Sequence, residues 1–232
     1  MVLNESESGQ GYRCCHQREG GVSLRFFLTM IFLFDCFGVV VDWKSDYVIS
    51  LWAKYAKVSE SDFKRQTSEE LALCETGQIT QSELWQQVGR KFNVEPAGLE
   101  HIFIECFKQK AKLDDGVVRI IESLPEAYLL SNQMPIASEL CRQHSWFSYF
   151  KQIFLSFDIG HMKPDPRIYH TVAKELGVQS SEVVLIDDKK ENVEGAVKCG
   201  MNGIIFRSAE QLRADLEKVY NVKLNKRKYD VA

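Results

Sequence analysis

Asp35 follows an apolar run, Met30–Phe34, and precedes a loop that contains Gly38. In open α/β sheets the reactive crevice lies beyond the carboxyl ends of the strands. A carboxylate that ends a buried strand beside a glycine loop is therefore placed to act as a nucleophile. Phe37, two residues later, can neither donate nor accept a proton. A mechanism that needs an acid or a base at that position lacks one in this chain.

Three further polar sites follow apolar runs or loops along the chain. They are Ser131 with Asn132, Lys163 before Pro164, and Asp187 with Asp188. The carboxyl ends of parallel strands meet at one edge of a sheet, so residues that are distant in sequence converge there. We therefore expect these side chains to surround Asp35.

Short apolar runs alternate with helical patterns in residues 30–42 and 116–232. The predicted strands are Met30–Phe34, Ala127–Leu130, Ile153–Ser156, Val183–Ile186 and Gly203–Phe206. The predicted helices are Val117–Leu124, Ile136–His144, Pro166–Leu176, Asn192–Cys199 and Ser208–Val219. This alternation is typical of a parallel sheet with helices on both faces. The sequence thus predicts an α/β core domain, a Rossmann-like three-layer parallel sheet.

Residues 43–115 have a different pattern. Apolar residues recur there at helical spacing in four segments, and no segment alternates as a strand would. One segment begins at Thr80, whose spacing to Glu83 is that of a capping box. Another spans Pro96–Lys110. This region is predicted to be a small all-helical domain inserted after the first strand.

Composition limits the partners and the compartment. A net charge of −3 gives no broad basic surface, so we expect neither nucleic acid nor a membrane as a partner. No apolar run reaches the about 18–20 residues of a membrane span. The seven cysteines have no Cys-x-x-Cys spacing, which favours reduced thiols, no zinc site and a cytoplasmic protein. Residues 1–29, polar over most of their length, are predicted to be a disordered extension.

Four motifs of the chain, in order and spacing, resemble those of the haloacid dehalogenase (HAD) superfamily of hydrolases. The motifs are carried by Asp35, Ser131 with Asn132, Lys163, and Asp187 with Asp188. The resemblance covers about residues 30–210. It is to the branch with a small helical cap, and residues 75–80 resemble a sequence motif of that cap. It implies a core domain of residues 30–42 and 116–232 and a cap domain of residues 43–115.

The resemblance also implies catalytic and substrate-binding residues. Asp35 would be the nucleophile, and Ser131 and Lys163 would assist it. The transferring group of a small phosphorylated substrate would be bound by Ser131, Asn132 and Lys163. The cap would close over the site and select the leaving group.

The cofactor implied by the resemblance is Mg²⁺. Its ligands would be Asp35, Asp188 and the backbone carbonyl of Phe37. Asp187 would act through a water molecule or by orienting the catalytic lysine. Asn192 stands where many phosphatases of the family carry another carboxylate, which leaves either a weaker metal site or an amide oxygen in its place.

Phe37 leaves three hypotheses open, because the family's phosphatases carry an acid/base aspartate there. The first is a Mg²⁺-dependent phosphohydrolase or phosphoryl-transfer enzyme that acts on a small phosphorylated metabolite through an aspartyl intermediate on Asp35. The second is a 2-haloacid dehalogenase-like hydrolase, in which a halide leaves without a proton, although the pair Asp187–Asp188 argues against it. The third is a catalytically inactive binding or regulatory protein. The oligomeric state is left open.

Overall fold

The computed structural model describes residues 11–12 and 30–224. Its strands are β1 (Gly11–Tyr12), β2 (Ile31–Phe34), β3 (Val41–Asp42), β4 (Lys112–Leu113), β5 (Tyr128–Ser131), β6 (Gln152–Leu155), β7 (Val183–Asp187) and β8 (Asn202–Ile205). Six strands form one sheet in the order β1-β8-β7-β2-β5-β6. The strands β8, β7, β2, β5 and β6 are parallel, and β1 pairs antiparallel with β8. The parallel sheet predicted from the sequence is confirmed.

Helices connect the strands, and local sequence signals set several of their ends. The α-helices of the described residues are α1 (Ser45–Ala56), α2 (Glu60–Glu75), α3 (Gln81–Phe92), α4 (Pro96–Lys110), α5 (Asp115–Ser123), α6 (Pro135–Arg142), α7 (Ser156–Ile159), α8 (Pro166–Leu176), α9 (Lys190–Lys198) and α10 (Ala209–Val219). The predicted capping box starts α3, because Thr80 and Glu83 each accept the other's backbone N–H. A proline in the first turn starts α8, and Gly177, with φ of 68°, ends it.

The sheet is covered on both faces because alternate side chains of each strand point to opposite sides. On one face, Phe34 and Ile186 belong to a hydrophobic cluster that includes residues of α5 and α10. On the other face, Leu33 and Leu185 belong to a cluster that includes residues of α8 and α9. The core therefore has the three layers expected of a Rossmann-like fold.

The predicted cap, residues 43–115, consists mainly of α1 to α4 around an aromatic core. Trp52 is 2% exposed, stacks on Phe103 at 6.0 Å between ring centroids, and donates its indole N–H to the Leu99 carbonyl at 2.8 Å. The two chain connections to the core pair with each other as β3 and β4. The sequence predicted no strand in residues 43–115, so β4 is a correction. Two-residue strands are too short to show an alternating pattern.

The remaining sequence predictions concern the chain's beginning and its compartment. Within the predicted disordered extension, residues 11–12 are described, and they form β1; the rest of that prediction lies outside the described residues. Among the residues described, no helix is long and apolar enough to cross a membrane. The five described cysteines are free thiols. A cytoplasmic location stays a prediction.

Candidate active site

Three neighbouring strands carry polar residues to one edge of the sheet. Asp35 follows β2, Ser131 ends β5 and Asp187 ends β7. Phe34 is level with Ile186 in the parallel ladder between β2 and β7. The Asp35 N–H donates to the Ile186 carbonyl at 2.8 Å. The candidate nucleophile is therefore fixed beside the end of β7 by backbone pairing, as the parallel sheet predicts.

Lys163 lies in the loop before α8, and its side chain extends to this edge of the sheet. Its side chain is buried, with 2% of the residue exposed. The ammonium lies 2.9 Å from Asp35 Oδ1, and donates to Asp187 Oδ2 at 2.6 Å and to the Leu130 carbonyl at 2.8 Å. These three acceptors account for all three N–H bonds of a lysine. Lys163 is thus held as a fixed positive charge against the candidate nucleophile.

Burial and neighbouring charges shift the proton equilibria of this cluster. Burial raises the pKa of Asp35 to about 7, although the attraction of Lys163 works in the opposite direction. Burial also lowers the pKa of Lys163, but the carboxylates of Asp187 and Asp35 outweigh it and the net shift is upward. Burial and the repulsion of Asp187 raise the pKa of Asp188. The negative charge that remains after pairing with one lysine favours a bound cation.

The carboxylates have a geometry that suits such a cation. One oxygen from each of Asp35, Asp187 and Asp188 lies within 4.8 Å of the other two. Asp35 Oδ1 accepts the Cys36 N–H at 2.7 Å, whereas no hydrogen bond to Oδ2 occurs among residues 30–224. Carboxylate oxygens are the ligands that Mg²⁺ prefers. The donor set therefore fits Mg²⁺, and the contribution of the Phe37 carbonyl stays a prediction.

Asp187 is engaged on both of its oxygens. Besides Lys163, it accepts the Lys189 N–H at 2.9 Å and the amide of Asn192, which lies 3.0 Å from each oxygen. These contacts suit the indirect role predicted for Asp187. They also explain Asn192, because a carboxylate at that position would repel Asp187 where the amide donates to it.

Gly38 lies against Asp188, so a substitution at Gly38 tests the predicted metal site. It has a φ of 92°, and a Cβ atom added to it would lie 2.4 Å from Asp188 Oδ2. We expect Gly38→Ala to displace the Asp188 carboxylate. Displacement of a metal ligand is expected to lower Mg²⁺ affinity by at least the roughly 10–100-fold that loss of an outer-shell partner costs. Calorimetric titration of the metal-free protein with Mg²⁺ measures this loss.

Gly177→Ala is the matched control for that experiment. Gly177 also has a positive φ, of 68°, but among the described residues no atom beyond its chain neighbours lies within 4 Å of an added Cβ. Gly177→Ala therefore introduces backbone strain without a clash at the candidate site. Equal Mg²⁺ affinity in Gly38→Ala, Gly177→Ala and the parent protein would contradict the placement of the metal at Asp188.

The two side chains of the motif at the end of β5, Ser131 and Asn132, have different surroundings. The Asn132 amide donates to the Lys163 carbonyl and accepts the Lys163 N–H, both at 2.8 Å. Asn132 thus holds the lysine loop, a positioning contact that the sequence did not predict. Ser131 is fully buried, and its hydroxyl has no hydrogen-bond partner among the described residues. An unpaired buried hydroxyl is costly. Ser131 does not line the cavity between cap and core, so its contact with a substrate oxygen stays a prediction.

A cavity of about 300 Å³ lies between the cap and this edge of the sheet. The core lines it with Asp35, Phe37, Asn132, Lys163 and Asp188, and the cap contributes Trp43, Glu75 and Phe103. The Phe37 ring packs 5.9 Å from Phe107 and 6.5 Å from Trp43. Phe37 therefore forms part of the aromatic contact between cap and core. A larger groove on the cap surface contains none of the motif residues.

Several polar residues of the cavity, among them Gln133, Lys189 and Glu75, were not predicted from the sequence as site residues. Gln133 is 2% exposed, and neither end of its amide has a hydrogen-bond partner among the described residues. Lys189 and Glu75 line the same cavity. Gln133 and Lys189 directly follow motif residues, a signal that could have marked them. Glu75 belongs to the cap, and its place at the site depends on how the cap docks.

Two curated relatives are similar to the chain over much of its length. Flavin mononucleotide hydrolase 1 of Arabidopsis thaliana is 32% identical over 150 residues, which are 61% of this chain and 58% of that protein. The chain thus spans less than two thirds of that relative. D-ribitol-5-phosphate phosphatase of Bacteroides thetaiotaomicron is 23% identical over 203 residues, which are 82% of this chain and 97% of that protein.

Solved structures share the fold. A predicted HAD-like hydrolase from Porphyromonas gingivalis superposes with a TM-score of 0.71 at 18% identity, covering 84% of this chain and all of that one. A HAD family enzyme from Bacteroides thetaiotaomicron, in complex with magnesium and inorganic phosphate, superposes with a TM-score of 0.65 at 19% identity, covering 77% and 94%. A family model described as haloacid dehalogenase-like hydrolase matches residues 29–200, well over half of the chain. This protein therefore belongs to the haloacid dehalogenase-like hydrolases.

Proposed function

We propose that the protein is a Mg²⁺-dependent phosphohydrolase that acts on a small phosphorylated molecule through an aspartyl-phosphate intermediate on Asp35. One observation carries the proposal: the buried Lys163 ammonium lies 2.9 Å from Asp35, within a group of three carboxylates. A nucleophile, a fixed cation and a candidate divalent-metal site thus lie together. Relatives named as a flavin mononucleotide hydrolase and a ribitol-phosphate phosphatase support phosphate ester hydrolysis.

The reaction has two steps at Asp35. In the first, a carboxylate oxygen of Asp35 attacks phosphorus, and the bond to the leaving oxygen breaks with its electron pair on that oxygen. In the second, water attacks phosphorus, inorganic phosphate leaves, and the Asp35 carboxylate is regenerated. When bound, Mg²⁺ supplies the positive charge that lets a carboxylate approach a phosphate.

The other motif residues stabilise charge on the phosphoryl group or hold the catalytic side chains in position. Lys163 offsets charge on the phosphoryl oxygens, and the Ser131 hydroxyl donates to one of them. Asn132 fixes the backbone of Lys163, and Asp187 fixes its ammonium. Holding these groups in place before substrate binds reduces the reorganisation that the reaction requires.

Phe37 limits which substrates turn over quickly. A general acid contributes roughly 10²–10⁴-fold to such reactions. Without one at position 37, an ester with a good leaving group is hydrolysed faster than an alkyl ester. Position 37 also offers no base to the water that attacks the aspartyl phosphate.

A substrate panel tests the proposal against both alternatives. The purified protein is assayed with p-nitrophenyl phosphate, acetyl phosphate, sugar phosphates and 2-chloropropionate, with Mg²⁺ and with chelator. We expect turnover of phosphates that chelator abolishes and that Asp35→Asn lacks. Chelator-resistant release of chloride would identify a dehalogenase instead. No turnover of either class would identify a binding or regulatory protein.

Phe37→Asp is expected to raise the turnover of alkyl phosphates about tenfold or more, because it restores an acid two residues after the nucleophile. The variant also loses the ring contacts to Trp43 and Phe107, so a lower melting temperature is expected. Steady-state rates on a sugar phosphate measure the gain. Phe37→Asn is the control, since it removes the same ring and adds no acid. Equal rates in the two variants would refute the missing-proton explanation.

A further inference from the structure

Glu75 extends from the cap into the active-site cavity. It is the last residue of α2 and lines the cavity together with Asp35 and Phe37. The turn that follows is pressed against the core: a Cβ added to Gly77 would lie 2.2 Å from the Phe157 carbonyl oxygen. This close approach fixes the end of α2 at the junction of the two domains. Glu75 is therefore held on the cap side of the cavity that Asp35 lines from the core.

The Glu75 carboxyl has no hydrogen-bond or salt-bridge partner in the part of the chain that the structure describes. Among residues 30–224, no hydrogen bond or salt bridge engages it, whereas Glu70 on the same helix pairs with Lys91. Lys189, across the cavity, is the charged group that attracts it. A partly buried carboxyl that faces a cavity without a partner is available to a bound ligand.

Other charged groups face the same cavity from every side. They are Lys44 and Asp46 at the start of α1, Asp35 after β2, Lys163 before α8, and Asp188 and Lys189 after β7. Burial raises the pKa of Glu75, and Lys189 acts in the opposite direction. A phosphorylated substrate adds negative charge to this set and raises that pKa further. These conditions favour a carboxyl that keeps its proton until the leaving oxygen takes it.

We propose that Glu75 is the acid that protonates the leaving oxygen, the task that Phe37 cannot perform. The inference rests on the proposed phosphohydrolase function. As Asp35 attacks phosphorus, the bond to the leaving oxygen breaks with its electron pair on that oxygen. The proton of the Glu75 carboxyl passes to the same oxygen, so the product is an alcohol. When water later attacks the aspartyl phosphate, one of its protons returns to the Glu75 carboxylate.

Two substrates of similar size separate this role from a binding role. p-Nitrophenyl phosphate releases a stable anion and needs little protonation, whereas benzyl phosphate releases an alkoxide that requires it. We expect Glu75→Gln to lower kcat/KM for benzyl phosphate by roughly 10²-fold or more. For p-nitrophenyl phosphate we expect little change. Glu69→Gln, at an exposed position on the same helix, should leave both rates as in the parent protein.

A double variant provides the rescue. Glu75→Gln with Phe37→Asp carries an acid near the nucleophile and should recover turnover of benzyl phosphate relative to Glu75→Gln alone. If Glu75 only shaped the cavity, Phe37→Asp would raise the rate on benzyl phosphate by the same factor in Glu75→Gln and in the parent protein. A larger factor in Glu75→Gln would support proton donation by Glu75, and an equal factor would contradict it.

Several results would overturn the inference. Equal losses on the two substrates would assign Glu75 to binding or cap closure, and no loss on benzyl phosphate would remove it from the reaction. A parent protein that hydrolyses p-nitrophenyl phosphate but not benzyl phosphate would refute the acid role alone. A parent protein that hydrolyses neither would refute the phosphohydrolase function, and the role of Glu75 with it.

Discussion

Asp35→Asn is expected to lower phosphatase activity by roughly 10⁴–10⁶-fold, because an amide cannot form the aspartyl phosphate. The same change is expected to stabilise the metal-free protein at pH 8. The parent buries the Asp35 carboxylate, with 5% of the residue exposed, and burial outweighs its pairing with Lys163. The amide of the variant carries no charge, and Lys163 keeps Asp187 as its partner.

The pH dependence of this stability difference follows from the pKa of Asp35. That pKa is about 7 in the folded protein, above the ordinary value of 3.8. The folded state therefore favours the neutral acid, and its stability relative to the unfolded state falls as pH rises from about 4 to 7. Above this range the difference in stability between the variant and the parent is constant.

Urea unfolding in the presence of chelator, at pH 5 and at pH 8, measures the free energy of unfolding of both proteins. We expect the advantage of Asp35→Asn to be larger at pH 8. An advantage that is equal at the two pH values, or a variant less stable than the parent at pH 8, would contradict the buried, destabilised nucleophile. Phosphatase assays of the same samples give the loss of activity.

Lys163→Met is expected to destabilise the metal-free protein by about 3–5 kcal/mol at pH 8, the usual cost of leaving a buried charge without its partner. The lysine balances Asp35 and Asp187, and both side chains stay buried when methionine replaces it. Activity should fall by roughly 10²–10³-fold, the cost of losing one group that stabilises charge on the reacting oxygens.

Lys151→Met is the control for this loss of stability. Lys151 pairs with Glu126 at the surface, where 57% and 49% of the two side chains are exposed, so its removal should change stability little. Denaturant midpoints at pH 8 in chelator compare the two variants. If Lys163→Met unfolds at the same urea concentration as Lys151→Met, the lysine does not hold the carboxylates as described.

The parts of the fold with strong local signals were predictable from the sequence. Pro96–Lys110 and Pro166–Leu176 were predicted with both ends correct, because a proline opens each helix and the apolar spacing continues to its end. The short strand Lys112–Leu113 and the helix Ser156–Ile159 were missed. Their conformations depend on a pairing partner or on neighbouring loops rather than on a repeating pattern.

The candidate site likewise has contacts that could be predicted from the sequence and contacts that could not. Asp35 and Asp187 could be placed together because each ends an apolar strand of a parallel sheet, and that geometry is general. The contact of Asn132 with Lys163 and the place of Glu75 in the cavity could not be predicted. Both depend on how a loop or the cap packs against the sheet, which leaves no mark in residue spacing.

The central claim is that Asp35 becomes phosphorylated, and acid-quenched mass spectrometry tests it most directly. The protein is mixed with p-nitrophenyl phosphate, quenched in acid within one turnover, digested and analysed. We predict that the peptide containing Asp35 gains the mass of one phosphoryl group with Mg²⁺ present, and that this peptide is unmodified in chelator and in Asp35→Asn. Turnover without that modification, or a phosphoryl group on another residue, would contradict the account.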